Sequence, residues 1–235
     1  MSRVLIIVND IESGPGRLTR WLVEEDLEFD LRIGSHGALP TPEALADYAG
    51  LIMLGGGLMP DETDRAPWLR EEAALVRTAL DSGLPQLGIC LGGQLIAHVG
   101  GGRVAAQTGA PEKGSTPIEL SAAAREDRVF AQVTPSTAFI ESHVDRILEI
   151  PPEAVLLASS TLCANQAFRL GEAAWGLQFH PESGPDNVRR WDPAGLAKLG
   201  FDKDELIAAA DAAQPQTERD ARALLAGFAG VIRGR

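Results

Sequence analysis

Short aliphatic runs alternate with amphipathic segments along the first ninety residues of the chain. Residues 4–8, 51–54 and 84–89 are predominantly apolar, which is typical of strands buried on both faces of a sheet. Residues 17–25 and 68–80 repeat apolar side chains at helical spacing between these runs. The alternation predicts an α/β fold in which a parallel sheet is covered by helices on both faces.

Two further features of this half of the chain are a candidate helix start and the residues that follow the predicted strands. Residues 41–45 resemble a capped helix start with proline near its first position. In folds of this kind, the loops at the carboxyl ends of the strands gather the active site. Cys90 and the glycine run at 55–57 both follow predicted strands, so we expect them to lie at this edge of the sheet.

The pattern changes after residue 103 to shorter strand-like pieces separated by glycine and proline, such as 116–120 and 155–158. We expect a partly antiparallel region that folds back onto the same sheet. Residues 192–216 are polar and alanine-rich, whereas 217–232 show helical spacing typical of a helix docked on the core. The prediction is one domain over 1–235, with a core at 1–183 and a C-terminal helical extension at 184–235.

Composition argues against two classes of binding partner, nucleic acids and membranes. The net charge is −12, with 21 basic and 33 acidic residues, which argues against binding a phosphate backbone. The first apolar run is too short for a signal peptide, and no later run is long enough to span a bilayer. We therefore expect a cytoplasmic protein with no nucleic-acid or membrane partner. In a reducing compartment, Cys90 and Cys163 are not expected to form a structural disulfide.

Cys90 ends the third apolar run and has small residues on both sides. Gly88, Gly92 and Gly93 allow the backbone to bend sharply and to approach itself closely, as in a strand-to-helix nucleophile elbow. The amides that follow would lie at a helix N-terminus, which favours a thiolate and an oxyanion. The alternative is that Cys90 is a small buried side chain without chemistry, as most lone cysteines are.

A cysteine nucleophile needs a base and a group that orients the base. His98 lies about two turns into the helix that Cys90 would begin, and His36 has no carboxylate close behind it, so both are poor candidates. His180 ends a strand-like run, and Glu182 follows two positions later on the same face of an extended chain. The alternative is that this pair is an ordinary surface feature.

Three separated motifs resemble those of the class I (triad-type) glutamine amidotransferases. They are Gly-Ile-Cys-Leu-Gly-Gly-Gln at 88–94, Gln-Phe-His-Pro-Glu at 178–182 and Leu-Gly-Gly-Gly at 54–57. The resemblance extends to 142–145 and 165–168, covers about residues 4–182 and fades afterwards. It implies a flavodoxin-like fold: a mostly parallel sheet with helices on both faces and a small antiparallel extension.

The resemblance also implies roles for the triad. Cys90 would be the nucleophile, His180 the base and Glu182 the orienting acid, with a glutamine-derived thioester as the intermediate. Backbone N–H groups of Gly56 and Leu91 would form an oxyanion hole, although a glycine run after a strand also makes an ordinary tight turn.

The substrate-binding residues follow from the same resemblance. The family usually has proline where this chain has Gly57, which we place at the substrate site on a less rigid loop. Gln94, one helical turn after Cys90, would hold the α-amino or α-carboxylate end of glutamine, and the backbone around Ser142 and His143 would contact the same end. Without that role, Gln94 is an ordinary polar helix residue and His143 a hydrogen-bonded loop residue.

The resulting prediction is an enzyme that cleaves the side-chain amide of glutamine or a γ-glutamyl compound and releases ammonia for a partner synthase. The chain has no Gly-x-x-x-x-Gly-Lys-Ser/Thr motif, so we do not expect it to be a complete synthetase. The alternatives are a stand-alone γ-glutamyl hydrolase or peptidase with water as acceptor, a non-catalytic scaffold or regulatory subunit, and redox or aldehyde chemistry at the same elbow. We predict no metal and no cofactor. Cys163, Trp68 and Trp175 are expected to have structural roles.

Overall fold

A nine-stranded mixed sheet forms the centre of the computed structural model, which describes residues 2–234. In the described chain, four strands of this sheet lie before residue 90, and the other five lie between residues 112 and 177; two more strands lie outside it. The strands are β1 (Arg3–Val8), β2 (Glu28–Ile33), β3 (Gly50–Met53), β4 (Gln86–Ile89), β5 (Arg103–Ala105), β6 (Glu112–Leu120), β7 (Ser136–His143), β8 (Arg146–Glu149), β9 (Val155–Ser159), β10 (Ala167–Leu170) and β11 (Ala174–Leu177). The helices are α1 (Leu18–Glu24), α2 (Trp68–Ser82), α3 (Leu91–Val99), α4 (Pro185–Arg190), α5 (Pro193–Lys198) and α6 (Lys203–Ile232).

The order of strands in the sheet is β2-β1-β3-β4-β11-β10-β9-β6-β7. Strands β2, β1, β3, β4 and β11 are parallel, and the remaining neighbours pair antiparallel. The predicted parallel sheet with a partly antiparallel addition is confirmed. Strands β5 and β8 form a separate two-stranded antiparallel sheet, which the sequence pattern did not distinguish.

The core lies on both faces of the sheet because side chains alternate along each buried strand. In β1, Val4 and Ile6 face the layer that contains α1 and α6, whereas Leu5 and Ile7 face the layer that contains α2 and α3. Helices therefore cover both faces, as the strand and helix pattern predicts. Phe228 of α6 belongs to the first of these layers.

Two predicted helix boundaries are wrong. The helix expected from 41–45 is a short 3₁₀ helix over Glu43–Asp47. The C-terminal helix begins at Lys203 and continues through Pro215, although residues up to 216 were expected to lie outside it. Asp202 explains this earlier start, because its carboxylate accepts hydrogen bonds from the backbone of Asp204 (2.9 Å) and Glu205 (3.0 Å) and so caps the helix. In the part of the chain that the structure describes, no helix is long and apolar enough to cross a membrane.

Candidate active site

Cys90 lies between β4 and α3 in a strained backbone conformation, with φ 53° and ψ −109°. The backbone is tightly packed around it: a Cβ on Gly88 would lie 2.3 Å from the carbonyl of Gly92, and a Cβ on Gly92 would lie 2.3 Å from the carbonyl oxygen of Met53. Only glycine fits at these positions. The geometry is that of the predicted elbow, with the thiol at the N-terminus of α3 and the first amides of that helix free of intrahelical partners.

His180 and Glu182 lie on the segment after β11 and are both buried, with exposed fractions of 6% and 2%. The imidazole Nδ1 is 2.7 Å from Glu182 Oε1. The backbone N–H of His180 donates to the carbonyl of Ile140 in β7 (2.8 Å), and Arg17 Nε donates to the Pro181 carbonyl (3.3 Å). The carboxylate fixes the ring orientation through Nδ1 and leaves Nε2 available to accept from a proton donor.

Cys90 and His180 come together at Gly55, the first residue of the glycine run. A Cβ on Gly55 would lie 3.0 Å from His180 Cε1 and 3.4 Å from Cys90 Cβ, so the two side chains flank this position. Strand pairing accounts for the approach, because β11 runs parallel to β4 and the Cys90 N–H donates to the Leu177 carbonyl (2.8 Å). His180 Nε2 is buried and has no hydrogen-bond partner among residues 2–234.

The protonation of His180 is set by opposing effects. Burial disfavours the charged imidazolium, but the neighbouring Glu182 carboxylate and Cys90 outweigh burial and raise the pKa of His180 well above its usual range. The raised pKa favours the protonated imidazolium beside the sulfur.

Gln178 also contacts the thiol, although no role for it was predicted from the sequence. Its Nε2 lies 3.7 Å from Cys90 Sγ, and its Oε1 accepts a hydrogen bond from Gln94 Nε2 at 3.3 Å. Gln178 and His180 are two residues apart in an extended segment, and that spacing was the available signal. Gln94 is 2% exposed and also donates to the Asp145 carbonyl (3.4 Å), so its amide is buried among protein partners, and its predicted contact with substrate stays a prediction.

The predicted oxyanion-hole residues are neighbours in the structure. A Cβ on Gly56 would lie 3.1 Å from Leu91 Cδ2 and 3.0 Å from Asn9 Cβ. Asn9 Nδ2 donates to the Leu54 carbonyl (3.1 Å) and to Glu72 Oε1 (3.2 Å), which ties the end of β3 to α2. Burial raises the pKa of Glu72 to about 8, so this carboxyl is mostly neutral at pH 7.

Gly57 is exposed at the tip of the glycine run. A Cβ there would meet no heavy atom of the described residues within 4 Å. The position therefore has room for a larger residue, and its assignment to substrate binding stays a prediction.

Ser142 and His143 lie in different surroundings. Ser142 lines a cavity that also includes His180, and its hydroxyl accepts a hydrogen bond from Lys113 Nζ (3.0 Å). The His143 side chain is buried in β7, with Nε2 3.0 Å from Glu112 Oε2 and Nδ1 3.0 Å from the Asp145 carbonyl. The side chain of His143 therefore supports the loop, and the predicted backbone contact with substrate stays a prediction.

Three potential metal ligands meet beside this loop. Donor atoms of Glu112, His143 and Cys163 lie within 4.8 Å of one another, and all three residues are buried. The Glu112 oxygens already accept hydrogen bonds from Ser160 Oγ (2.6 Å) and Gln166 Nε2 (3.0 Å). Burial raises the pKa of Cys163 to about 11, so its thiol is protonated at neutral pH. We interpret the group as a buried hydrogen-bond network.

The other residues singled out from the sequence lie away from the thiol. His98 is in the last turn of α3, and exposed His36 pairs with its neighbour Ser35 (2.9 Å). Cys90 and Cys163 are both free thiols. Trp68 Nε1 donates to Asn9 (3.0 Å), and the Trp175 ring packs edge-on against Phe228 at 6.2 Å.

A cavity of about 1130 Å³ opens beside the imidazole. His180 and Glu182 line one side, Lys113 and Ser142 line another, and the segment from α4 to Leu199 forms an outer wall. The arrangement brings the Cys90 thiol, an imidazole paired with a carboxylate, and a cavity large enough for a small molecule to one edge of the sheet.

Comparison with known proteins relates the chain to one family. Residues 18–190 match the family described as glutamine amidotransferase class-I. One component of a glutamine-hydrolyzing GMP synthase from Sulfurisphaera tokodaii is 34% identical over 166 residues, which are 68% of this chain and 82% of that protein. Gamma-glutamyl peptidase 3 from Arabidopsis thaliana is 30% identical over 162 residues, which are 68% of this chain and 64% of that protein.

Solved structures agree with this result. The crystal structure of a glutamine amidotransferase from Thermotoga maritima superposes with a TM-score of 0.84 and 28% identity, covering 98% of this chain and 97% of that one. A glutamine amidotransferase from Methylobacillus flagellatus gives the same TM-score and identity over 97% of this chain and 94% of its own. The match extends over α6 as well as the sheet.

Proposed function

The chain belongs to the class I glutamine amidotransferases, and from this premise we propose that it hydrolyses the side-chain amide of glutamine or of a γ-glutamyl compound with the triad Cys90, His180 and Glu182. One observation carries the proposal: the strained Cys90 elbow and the His180 ring flank Gly55, and Glu182 is hydrogen-bonded to Nδ1 at 2.7 Å. These are the nucleophile, the base and the orienting acid of a cysteine hydrolase.

The proposed reaction has two steps. The Cys90 proton passes to His180 Nε2, and the thiolate attacks the γ-carbonyl carbon of the substrate. The carbon–nitrogen bond then breaks, the imidazolium returns its proton to the leaving nitrogen, and a γ-glutamyl thioester remains on Cys90. Water, deprotonated by His180, releases glutamate from the sulfur and restores the free thiol.

The negative oxygen of each tetrahedral intermediate needs hydrogen-bond donors. We assign this role to the backbone N–H groups of Leu91 and Gly56, which lie beside the nucleophile, and each such donor is worth about 3 kcal/mol in a typical oxyanion hole. Gln178 donates toward Cys90 Sγ and supports the thiolate from the opposite end of the site.

Two fates of the leaving nitrogen fit this chemistry. Released ammonia can pass to a separate synthase, which the likeness to a glutamine-hydrolyzing GMP synthase component favours. Alternatively, an amine leaves and water accepts the glutamyl group, as the name of the γ-glutamyl peptidase relative suggests. The cavity beside His180 has room for a leaving group larger than ammonia, which is compatible with the second fate. We place the reaction in the cytoplasm, where the two free thiols remain reduced.

The test replaces Cys90 with alanine and compares it with Cys163→Ala, which removes the other thiol. Glutamate release from glutamine and from γ-glutamyl peptides should fall at least about 10³-fold in Cys90→Ala and stay near wild type in Cys163→Ala. A diazo-ketone analogue of glutamine should label only Cys90, as measured by peptide mass spectrometry. Retained hydrolysis in Cys90→Ala would refute the mechanism, and absence of labelling would favour a scaffold subunit.

A further inference from the structure

The cavity beside His180 lies on the side of the site where a leaving group departs. His180 and Glu182 line it, whereas Cys90, Gly56, Leu91 and Gln94 are not among the described residues that do. In amide cleavage by a cysteine or serine hydrolase, the imidazole gives its proton to the leaving nitrogen. The leaving group is therefore next to the imidazole, and the oxyanion donors are on the acyl side.

The cavity is too large for ammonia. Its volume of about 1130 Å³ exceeds the 300–1,000 Å³ that is typical of pockets for drug-sized molecules. A larger group on the departing nitrogen would occupy space that ammonia alone does not fill. The volume fits a substrate in which the γ-amide nitrogen carries a larger group.

Lys113 supplies a positive charge to this cavity. Its ammonium is 3.0 Å from Ser142 Oγ and 5.7 Å from the centre of the Trp191 ring, so two neighbours hold it in place. No carboxylate among residues 2–234 pairs with it, although the chain carries a net charge of −12. Burial lowers the pKa of Lys113 and outweighs a rise caused by Cys90. A half-buried cation that no carboxylate of the described chain pairs with is suited to bind an anionic group of a ligand.

The rest of the wall is mixed. Ile140, Trp191 and Leu199 present apolar surface, and Leu199 is 44% exposed. Two acids besides Glu182 and a second cation also line the cavity. Asp192 is occupied in capping α5 through Gly195 N–H (2.8 Å), Glu12 is exposed, and Arg190 lies in the last turn of α4. A ligand that carries one carboxylate and an apolar body matches this distribution.

We propose that the leaving group is an α-amino acid with an apolar side chain, so that the substrate is a γ-glutamyl dipeptide whose terminal carboxylate binds Lys113. The apolar side chain lies against Trp191 and Leu199. This inference rests on the proposed function and specifies its substrate. The γ-amide carbon–nitrogen bond breaks, water supplies the hydroxyl to the glutamyl carbon and a proton to the nitrogen, and the products are glutamate and the free amino acid.

The experiment compares kcat/KM for γ-glutamyl-leucine with that for γ-glutamyl-leucinamide, in which a neutral amide replaces the terminal carboxylate. We expect the wild-type protein to prefer the carboxylate substrate about 10- to 100-fold, the range of one charge-assisted hydrogen bond. Lys113→Met should bring this ratio close to one, and Lys113→Arg should restore most of it. Lys198→Met, on the exposed side of α5, is the matched control and should keep the wild-type ratio.

Several results would overturn the inference and leave the proposed function intact. These are a wild-type ratio near one, faster turnover of glutamine than of γ-glutamyl-leucine, or an equal loss on glutamine and both peptides in Lys113→Met. The last result would mean that Lys113 binds the glutamyl unit itself. If no substrate shows Cys90-dependent turnover, the proposed function fails as well. Circular dichroism of each variant excludes loss of fold as the cause.

Discussion

The His180 side chain joins the groups on which the proposed chemistry depends. Its Nδ1 contacts Glu182 at 2.7 Å, and its Nε2 is the buried nitrogen available to the thiol. Burial alone would favour the neutral ring, so the raised pKa of His180 depends on the Glu182 charge and on Cys90. Arg17 holds the Pro181 carbonyl beside this acid and fixes the segment that carries it.

Glu182→Gln keeps a hydrogen-bond acceptor for Nδ1 and removes the negative charge. We expect kcat/KM for γ-glutamyl substrates to fall at least about 10²-fold. Without the carboxylate, the raised pKa of His180 falls, so the imidazolium loses its proton at lower pH. The alkaline limb of the pH profile of kcat/KM should therefore move to lower pH.

Glu153→Gln is the control for this change, since it removes one exposed carboxylate far along the chain from the triad. It should leave both the rate and the alkaline limb in place. If Glu182→Gln keeps the wild-type alkaline limb, a group other than His180 controls that limb.

At the scale of elements, the turn from β4 to α3 positions the Cys90 thiol. The carbonyl of Gly92 lies where a side chain on Gly88 would have to go, and the Cys90 backbone adopts a positive φ. The sharp turn therefore depends on close backbone contact as much as on Cys90 itself. It places the thiol at the carboxyl edge of the parallel strands, next to the end of β3.

Gly88→Ala should disrupt this turn. The added methyl would lie 2.3 Å from backbone atoms of Gly92, so the strand and helix must separate. We expect a loss of about 2–3 kcal/mol in the free energy of unfolding, measured by urea denaturation. We also expect a loss of about 10²-fold in kcat/KM, because a shift of about 1 Å in a catalytic group has an effect of this size.

Gly230→Ala provides the contrast within α6. A Cβ there meets no heavy atom of the described chain within 4 Å, and the residue is helical. This variant should be more stable than wild type by about 0.5–1 kcal/mol, with unchanged kcat/KM. Equal behaviour of the two alanine variants would contradict the role assigned to Gly88.

At the scale of the whole molecule, α6 packs against the central sheet. Phe228 is fully buried, meets the Trp175 ring edge-on at 6.2 Å and shares a core layer with β1 and α1. Asp220, also in α6, accepts a hydrogen bond from Thr134 Oγ1 (2.8 Å). We propose that residues 1–183 and the extension at 184–235 therefore fold as one domain.

Phe228→Ala tests this proposal. Loss of the ring from the buried layer should lower the free energy of unfolding by about 3–5 kcal/mol. If the chain is one domain, tryptophan fluorescence, far-ultraviolet circular dichroism and loss of activity should share one denaturation midpoint in both wild type and variant. Leu162→Ala, at a side chain that is 49% exposed, should change stability by less than about 0.5 kcal/mol. Separate transitions for α6 and the sheet would refute the single domain.

The sequence by itself determined the framework and the identity of the reactive groups. Apolar periodicity predicted β1, β3, β4, α1 and α2, because burial on one or two faces leaves a local pattern in the chain. The residues around Cys90 and His180 were recognisable for a similar reason, since a tight elbow and an alternating strand each depend on a few adjacent positions.

Only the tertiary structure decided which distant residues meet. Parallel pairing of β11 with β4 brings His180 to Cys90, and the pairing of β6 with β7 sets Lys113 beside Ser142. No local pattern records these neighbours, because strand order and register are chosen by packing across the whole core. The start of α6 was missed for a related reason: Pro215 is a strong local signal against a helix, and packing of the apolar face on the sheet outweighs it.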